Sequence, residues 1–140
     1  MDPNVEHPAH YTRGGYETID FIEQYFESSY HAGQVVKYLS RAGYKHGAAY
    51  RQDVQKALWY ARRMYARPMQ RWHMPNIDHD DFLFDVDLRL FAEAKLLDGL
   101  TITAIREAFR GYWRQVVDAI SEIDRRAQQD APQNADSDNG

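Results

Sequence analysis

The chain has 140 residues, the usual size of one domain, and 44% of them are hydrophobic, which is enough for one core of moderate size. The absence of cysteine excludes disulfides, thiolate metal sites and cysteine nucleophiles. Residues 1–71 carry ten Lys/Arg and seven Asp/Glu, whereas residues 72–140 carry seven and fourteen, so the net charge of −4 is unevenly divided. The first half is suited to attract an anion such as phosphate, although ordinary solvated charge is the alternative, and the acidic second half argues against direct nucleic-acid binding.

The N-terminus gives no targeting or membrane signal. Met1 to Asn4 lack the basic and then apolar pattern of a signal peptide, and no apolar stretch in the sequence is long enough to cross a bilayer. We therefore expect a soluble cytoplasmic protein with no membrane partner.

Three helices are predicted in the first half, after an irregular lead-in over residues 1–15 that contains two prolines and two glycines. They span about 17–27, 31–41 and 48–65, and the intervening breaks contain serine or glycine. The positions expected to face the core are Ile19, Ile22, Phe26, Val35, Val36, Leu39, Val54, Leu58, Ala61 and Tyr65.

The second half predicts two more helices after a linker over residues 66–80. The fourth helix spans about 81–97, and a long fifth helix, capped by Thr101 or Thr103, ends near Gln128. The polar residues 129–140 are expected to be disordered. Apolar residues at three- and four-residue spacing run along these helices, at Phe84, Leu88, Phe91, Ala92, Ile102, Ile105, Phe109, Tyr112, Val116, Ile120 and Ile123.

No segment shows the two-residue alternation of a strand, so we predict an all-α fold. It should be a compact helical domain of about five helices with a long C-terminal helix and a disordered tail. The sequence divides into a module over residues 1–66, a helical extension over 67–128 that packs on the module or on another subunit, and the tail over 129–140.

Polar side chains recur at helical spacing on the first three helices. If those helices pack through their apolar stripes, the polar faces border one groove that places cations beside carboxylates. The residues on these faces are Glu17, Asp20 and Glu23 on the first helix, Lys37 and Arg41 on the second, and Asp53, Lys56, Tyr60 and Arg63 on the third.

Such a groove has the chemistry to handle phosphate, although the sequence contains no Gly-rich phosphate-binding loop followed by Lys and Ser/Thr. Phosphoryl transfer needs positioning and charge neutralisation, which Lys37, Arg41 and Lys56 can supply. Glu17 or Asp20 could hold Mg²⁺ or orient a sugar hydroxyl. The plainer alternative is a set of surface pairs worth ~0.5 kcal/mol each.

Aromatic and imidazole groups add further candidates. The rings of Tyr11, Tyr38 and Tyr60 could stack on a base. His7 and His10 flank a proline in the lead-in, where imidazoles could contact phosphate, bind metal or transfer protons. No third metal ligand beside the two histidines is apparent from the sequence.

The combined pattern resembles a family of small bacteriophage proteins, the nucleotide kinase-like (SaV-like) family. The resemblance covers Glu6 to about Tyr65, and Gln34 stands where the family pattern has Asn. The residues that carry it are His7-Pro8-Ala9-His10-Tyr11, Gly14-Gly15, Glu17 with Asp20, Gly33, Lys37-Tyr38, Arg41, Gly43, Lys45, Asp53, Lys56-Ala57 and Tyr60.

The resemblance implies a phage protein, active in the host cytoplasm, that transfers a phosphoryl group from a nucleoside triphosphate to a (deoxy)nucleoside monophosphate, with Mg²⁺ as a candidate cofactor. On these motif positions we predict Lys37, Arg41 and Lys56 as catalytic residues and Glu17 and Asp20 as metal ligands. The predicted substrate-binding residues are His7, His10, Tyr11, Glu17, Asp20, Tyr38, Lys45, Asp53 and Tyr60.

Two other functions stay open. An all-α nucleotide pyrophosphatase of the MazG-like kind needs acidic motifs on two helices, and Lys56 places a cation where the second motif needs an acid. A non-catalytic nucleotide-binding protein, or sponge, would use the same groove without turnover. We also expect a homo-oligomer, because a groove between protomers is a plausible active site.

Overall fold

Six α-helices make up most of the residues that the structure, a computed structural model, describes: 16–67 and 81–130. No strand occurs in these two ranges, so the all-α prediction is confirmed. The helices are α1 (Thr18–Tyr25), α2 (Tyr30–Ala42), α3 (Gly47–Tyr65), α4 (Asp81–Lys95), α5 (Gly99–Arg110) and α6 (Trp113–Asp130).

The long fifth helix of the prediction is two helices in the structure. Gly111 ends α5 with a φ of 80°, a left-handed conformation that glycine adopts without steric cost, and α6 begins two residues later. The predicted caps Thr101 and Thr103 are also wrong. Asp98 caps α5, because its side chain accepts a hydrogen bond from the backbone N–H of Thr101 at 2.8 Å.

Aromatic packing decides which face of α1 is buried. Phe21 stacks on Phe91 with ring centroids 4.4 Å apart, and Tyr25 is buried beside them, whereas the predicted core residue Ile19 is 49% exposed. The large rings of α1 remove more apolar surface from water than the aliphatic stripe would, so the helix turns them inward.

Two further core predictions, both near helix ends, are wrong. Tyr65 and Tyr112 were expected to face inward but are exposed, while their neighbours Met64 and Trp113 are buried. A tyrosine hydroxyl stays in water at little cost near a helix end, whereas the thioether of methionine gains by burial.

Helices from both halves of the chain share one hydrophobic core. Phe84 of α4 stacks on Phe109 of α5 at 3.8 Å, and α3 and α5 both pack against α6. The Tyr25 hydroxyl donates a short hydrogen bond to Asp87 and so ties α1 to α4. Burial, reinforced by that carboxylate, raises the pKa of Tyr25.

The predicted boundaries fall partly within the described ranges. Ala66 and Arg67 follow α3, but the rest of the predicted linker, residues 68–80, lies outside the described residues. The helix α6 continues to Asp130, two residues past its expected end, and residues 131–140 of the predicted tail also lie outside them. Every helix in 16–67 and 81–130 is too short or too polar to cross a membrane.

The break at Gly111 gives a stability prediction. Gly111→Ala should lower the free energy of unfolding by about 1 kcal/mol, because a Cβ is strained at positive φ. Gly43→Ala is the control: its φ is −60° and the nearest atom to an added Cβ is 3.7 Å away, so stability should stay level or rise slightly. Urea unfolding followed by circular dichroism measures both, and equal effects would contradict the assigned role of Gly111.

Candidate functional site

The polar faces of α2 and α3 lie against each other along an antiparallel helix pair. Arg41 meets Asp53 near the connecting loop, and Gln34 meets Tyr60 about two turns further away. We call this surface the α2–α3 face. It consists of Gln34, Lys37, Tyr38, Arg41 and Lys45, with Asp53, Lys56 and Tyr60 opposite.

A buried carboxylate stands at the loop end of this face. The side chain of Asp53 is 0% exposed, and its Oδ2 lies 2.8 Å from Lys45 Nζ and 3.6 Å from Arg41 Nε. Neither carboxylate oxygen accepts a well-directed hydrogen bond within the described residues, so the contact is an ion pair rather than a hydrogen-bonded one. Because Asp53 has no exposed surface, it acts on any ligand through the two cations that it holds.

The two cations of this cluster keep access to solvent. The Lys45 side chain is 26% exposed and that of Arg41 is 31% exposed. Part of the guanidinium can therefore contact a ligand while Asp53 fixes its position. The sequence analysis predicted that Lys45 and Asp53 bind the substrate. In the structure these two side chains form an ion pair with each other.

An aromatic pair with two lysines occupies the middle of the face. The rings of Tyr38 and Tyr60 are nearly parallel, with 12° between their planes and 6.1 Å between centroids. Lys37 Nζ lies 5.2 Å and Lys56 Nζ 5.4 Å from the centroid of the Tyr38 ring. Within residues 16–67 and 81–130, neither ammonium group forms an ion pair with a carboxylate. The predicted residues Lys37, Tyr38, Lys56 and Tyr60 are thus brought together.

The far end of the face is closed by a tyrosine–glutamine network that the sequence did not predict. Gln34 Nε2 lies 2.9 Å from the Tyr30 hydroxyl and 3.5 Å from that of Tyr60. Hydrogen bonding to Tyr60 is the main cause of a raised pKa for Tyr30. The ring of His31 lies 5.6 Å from that of Tyr60. The spacing of Tyr30, Gln34 and Tyr38 by four residues was the available signal.

The predicted metal ligands Glu17 and Asp20 lie at the start of α1 and not on the α2–α3 face. Glu17 precedes α1 and Asp20 is exposed on its first turn, and the described ranges contain no group of three potential ligands. The Mg²⁺ site stays a prediction. His7, His10 and Tyr11 lie outside the described residues.

A groove between α1 and α2 borders Lys37 on the other side. We call it the α1–α2 groove; its volume is about 500 Å³. Gly33 forms part of its floor, where an added Cβ would come within 3.2 Å of Ile22 Cγ2. The residues that line it are Thr18, Ile19, Ile22, Glu23, Phe26, Glu27, Ser29, Tyr30, Gly33, Gln34 and Lys37.

A larger depression of about 640 Å³ lies between α4 and α5. Its lining includes an ion pair between Arg106 and Asp85 at 3.5 Å, and it contains none of the site residues predicted from the sequence. Size alone does not identify a site, so we assign the candidate site to the α2–α3 face and the adjoining α1–α2 groove, which share Lys37 and Gln34.

The buried ion pair gives a second stability prediction. Lys45→Met should lower the free energy of unfolding by roughly 2 kcal/mol, because it leaves the buried Asp53 with the more distant Arg41 alone; the partial exposure of Lys45 keeps the loss below that of a fully buried pair. Lys56→Met, the matched control, should cost about 0.5 kcal/mol.

Adding Asp53→Asn to Lys45→Met should restore part of the loss, because the uncompensated charge is removed. Urea titrations of the four proteins form the measurement. If Lys45→Met is no more destabilising than Lys56→Met, the ion pair does not support the fold.

The comparisons with known proteins concern the same region of the chain. A family described as a protein of unknown function, DUF3310, matches residues 5–62. This range contains α1, α2, all but the last residues of α3, and therefore the whole candidate site. No curated protein and no solved structure matches the chain.

Proposed function

We propose that the protein is a nucleoside monophosphate kinase that binds phosphorylated nucleotides on the α2–α3 face. It would transfer a phosphoryl group from a nucleoside triphosphate to a (deoxy)nucleoside monophosphate. The observation that supports the proposal best is the position of Lys37 and Lys56, whose ammonium groups both lie within 5.4 Å of the Tyr38 ring centre.

This arrangement fits a ligand with an anionic part. The two ammonium groups act as point charges for phosphate oxygens, and neither forms an ion pair with a carboxylate in the described ranges. Arg41, one turn from Lys37 and fixed by Asp53, can add a planar donor group. Neutralisation by several preorganised cations is what phosphoryl transfer requires from a protein.

The kinase assignment, as opposed to nucleotide binding alone, rests on the resemblance to the phage nucleotide kinase-like family. Mg²⁺ would arrive with the triphosphate, because this ion keeps much of its water and is bound largely through phosphates. Glu17 and Asp20 stay the proposed protein ligands. The homo-oligomeric state also stays a prediction.

The contacts of Asp53 argue against the pyrophosphatase alternative. It would need Asp53 as a Mg²⁺ ligand, yet Lys45 Nζ already lies 2.8 Å from the Asp53 carboxylate and would compete with the metal ion. The non-catalytic binding alternative would use the same lysines and is separated from the kinase only by turnover.

Product analysis distinguishes these functions. The full chain is incubated with a panel of deoxynucleoside monophosphates and nucleoside triphosphates, with and without Mg²⁺, and the nucleotides are resolved by anion-exchange chromatography. The proposal predicts that each triphosphate lost gives two diphosphates, one from the donor and one from the monophosphate. Monophosphate and pyrophosphate formed from a triphosphate alone would indicate the pyrophosphatase, and unchanged nucleotide that co-elutes with the protein would indicate the sponge.

Charge removal tests the assigned residues. Lys37→Ala should lower kcat/KM by about 100-fold, because the substitution removes a cation that stabilises the transition state. Lys56→Ala should lower kcat/KM by about tenfold, because the Lys56 side chain is more exposed than that of Lys37. Arg62→Ala removes the same charge from an exposed position of α3 outside the α2–α3 face and should have no effect. Full activity in a folded Lys37→Ala protein would remove Lys37 from the site.

A further inference from the structure

The α1–α2 groove has different chemistry at its two ends. The short connection between α1 and α2 makes them an antiparallel hairpin, so Lys37 on α2 lies toward the start of α1, opposite the region of Ile19. Glu23 and Glu27 line the groove further toward the hairpin connection. Neither glutamate forms an ion pair with a residue in 16–67 or 81–130. A ligand that fills the groove would therefore meet a cation at one end and carboxylates beyond it.

The floor between these ends is formed by an apolar side chain and by backbone. Ile22 of α1 and the backbone carbonyl of Phe26, the residue that follows α1, lie beside Gly33 of α2, where the missing Cβ lets the two helices approach. The volume of about 500 Å³ is within the range of small-molecule sites, roughly 300–1,000 Å³. A flat aromatic group such as a nucleobase suits this floor.

The length of the groove also fits a nucleotide. From Tyr30 to Lys37 the helix α2 advances by seven residues, or about 10 Å. An extended nucleoside monophosphate has this length from its phosphate to the far edge of its base. With the phosphate at Lys37, the base edge would lie near the glutamates.

We propose that the α1–α2 groove holds the nucleoside part of the monophosphate and that Glu23 and Glu27 select bases that carry an exocyclic amino group. The inference rests on the proposed function, because it takes Lys37 as the phosphate-binding residue. It goes further by naming the substrate class: nucleotides of cytosine, adenine or guanine over those of thymine or uracil.

The selection follows from hydrogen-bond chemistry. A carboxylate only accepts hydrogen bonds, and the amino groups of cytosine, adenine and guanine donate them. Thymine and uracil present a carbonyl oxygen in place of the cytosine amino group, so the two acceptors would oppose each other. The carboxylates therefore favour the amino-bearing base by attraction and disfavour the other by repulsion.

Occupancy of the groove is tested by calorimetric titration of the full chain with deoxycytidine monophosphate, thymidine monophosphate and deoxyribose phosphate, which has no base. Deoxycytidine monophosphate should bind at least about tenfold more tightly than deoxyribose phosphate. Ile19→Trp should weaken the binding of deoxycytidine monophosphate, since the larger ring covers the groove from an exposed position without disturbing the core. Lys37→Ala should weaken all three.

The possible failures are distinguishable. Equal binding of all three probes would overturn the groove assignment and leave phosphate binding at Lys37 intact. If none of the three binds, the proposed function and this inference both fall.

Base selection is tested with the double variant Glu23→Gln/Glu27→Gln. The wild-type preference for deoxycytidine over thymidine monophosphate, expected to be about tenfold, should shrink to within about twofold, because a glutamine amide can either donate or accept. Glu93→Gln on α4, outside the groove, is the matched control and should keep the wild-type preference. An unchanged preference in the double variant, or a wild-type preference for thymidine monophosphate, would overturn the role of the glutamates.

Discussion

The contact on which the candidate site depends is the ion pair between the buried Asp53 carboxylate and Lys45 and Arg41. A carboxylate with no exposed surface needs its cations close by, because an unpaired charge in the interior is costly. That requirement fixes how α3 is placed along α2. A shift of one helical turn, about 5.4 Å, would break the pair and would also separate Tyr38 from Tyr60.

The same contact divides the basic residues of the face into two groups. Arg41 and Lys45 compensate a buried charge, whereas the ammonium groups of Lys37 and Lys56 lie beside an aromatic pair. The first pair keeps the helices in place, and the second pair is what a phosphate would meet. Lys37 also lies at the edge of the α1–α2 groove, so one residue belongs to both the α2–α3 face and a cavity in the size range of small-molecule sites.

Helical periodicity predicted the fold class and most helices, but two kinds of information were outside its reach. The division at Gly111 depends on a left-handed backbone conformation, which the continuous apolar spacing around Phe109 and Tyr112 concealed. The buried face of α1 depends on aromatic partners from α4 and α5, so the spacing predicted the burial of Phe26 correctly but wrongly placed Ile19 in the core.

The site was predictable to a similar degree. Spacing placed Lys37 and Arg41 on one face of α2 and Asp53 and Lys56 on one face of α3, and the structure brings these faces together. Which cation pairs with the buried carboxylate depends on how the helices pack, and spacing within one helix carries no such information. The groove was missed for the same reason, since its floor joins Gly33 of one helix to Ile22 of another.

The central claim is that phosphorylated nucleotides bind to the α2–α3 face, and nuclear magnetic resonance with selectively labelled tyrosine tests it most directly. During titration of the full chain with a nucleoside monophosphate and a non-hydrolysable triphosphate, the account predicts saturable shifts of the Tyr38 and Tyr60 ring signals, while Tyr50 and Tyr112, outside the face, stay unchanged. Saturable binding that leaves Tyr38 and Tyr60 unmoved, or no binding at all, would contradict it.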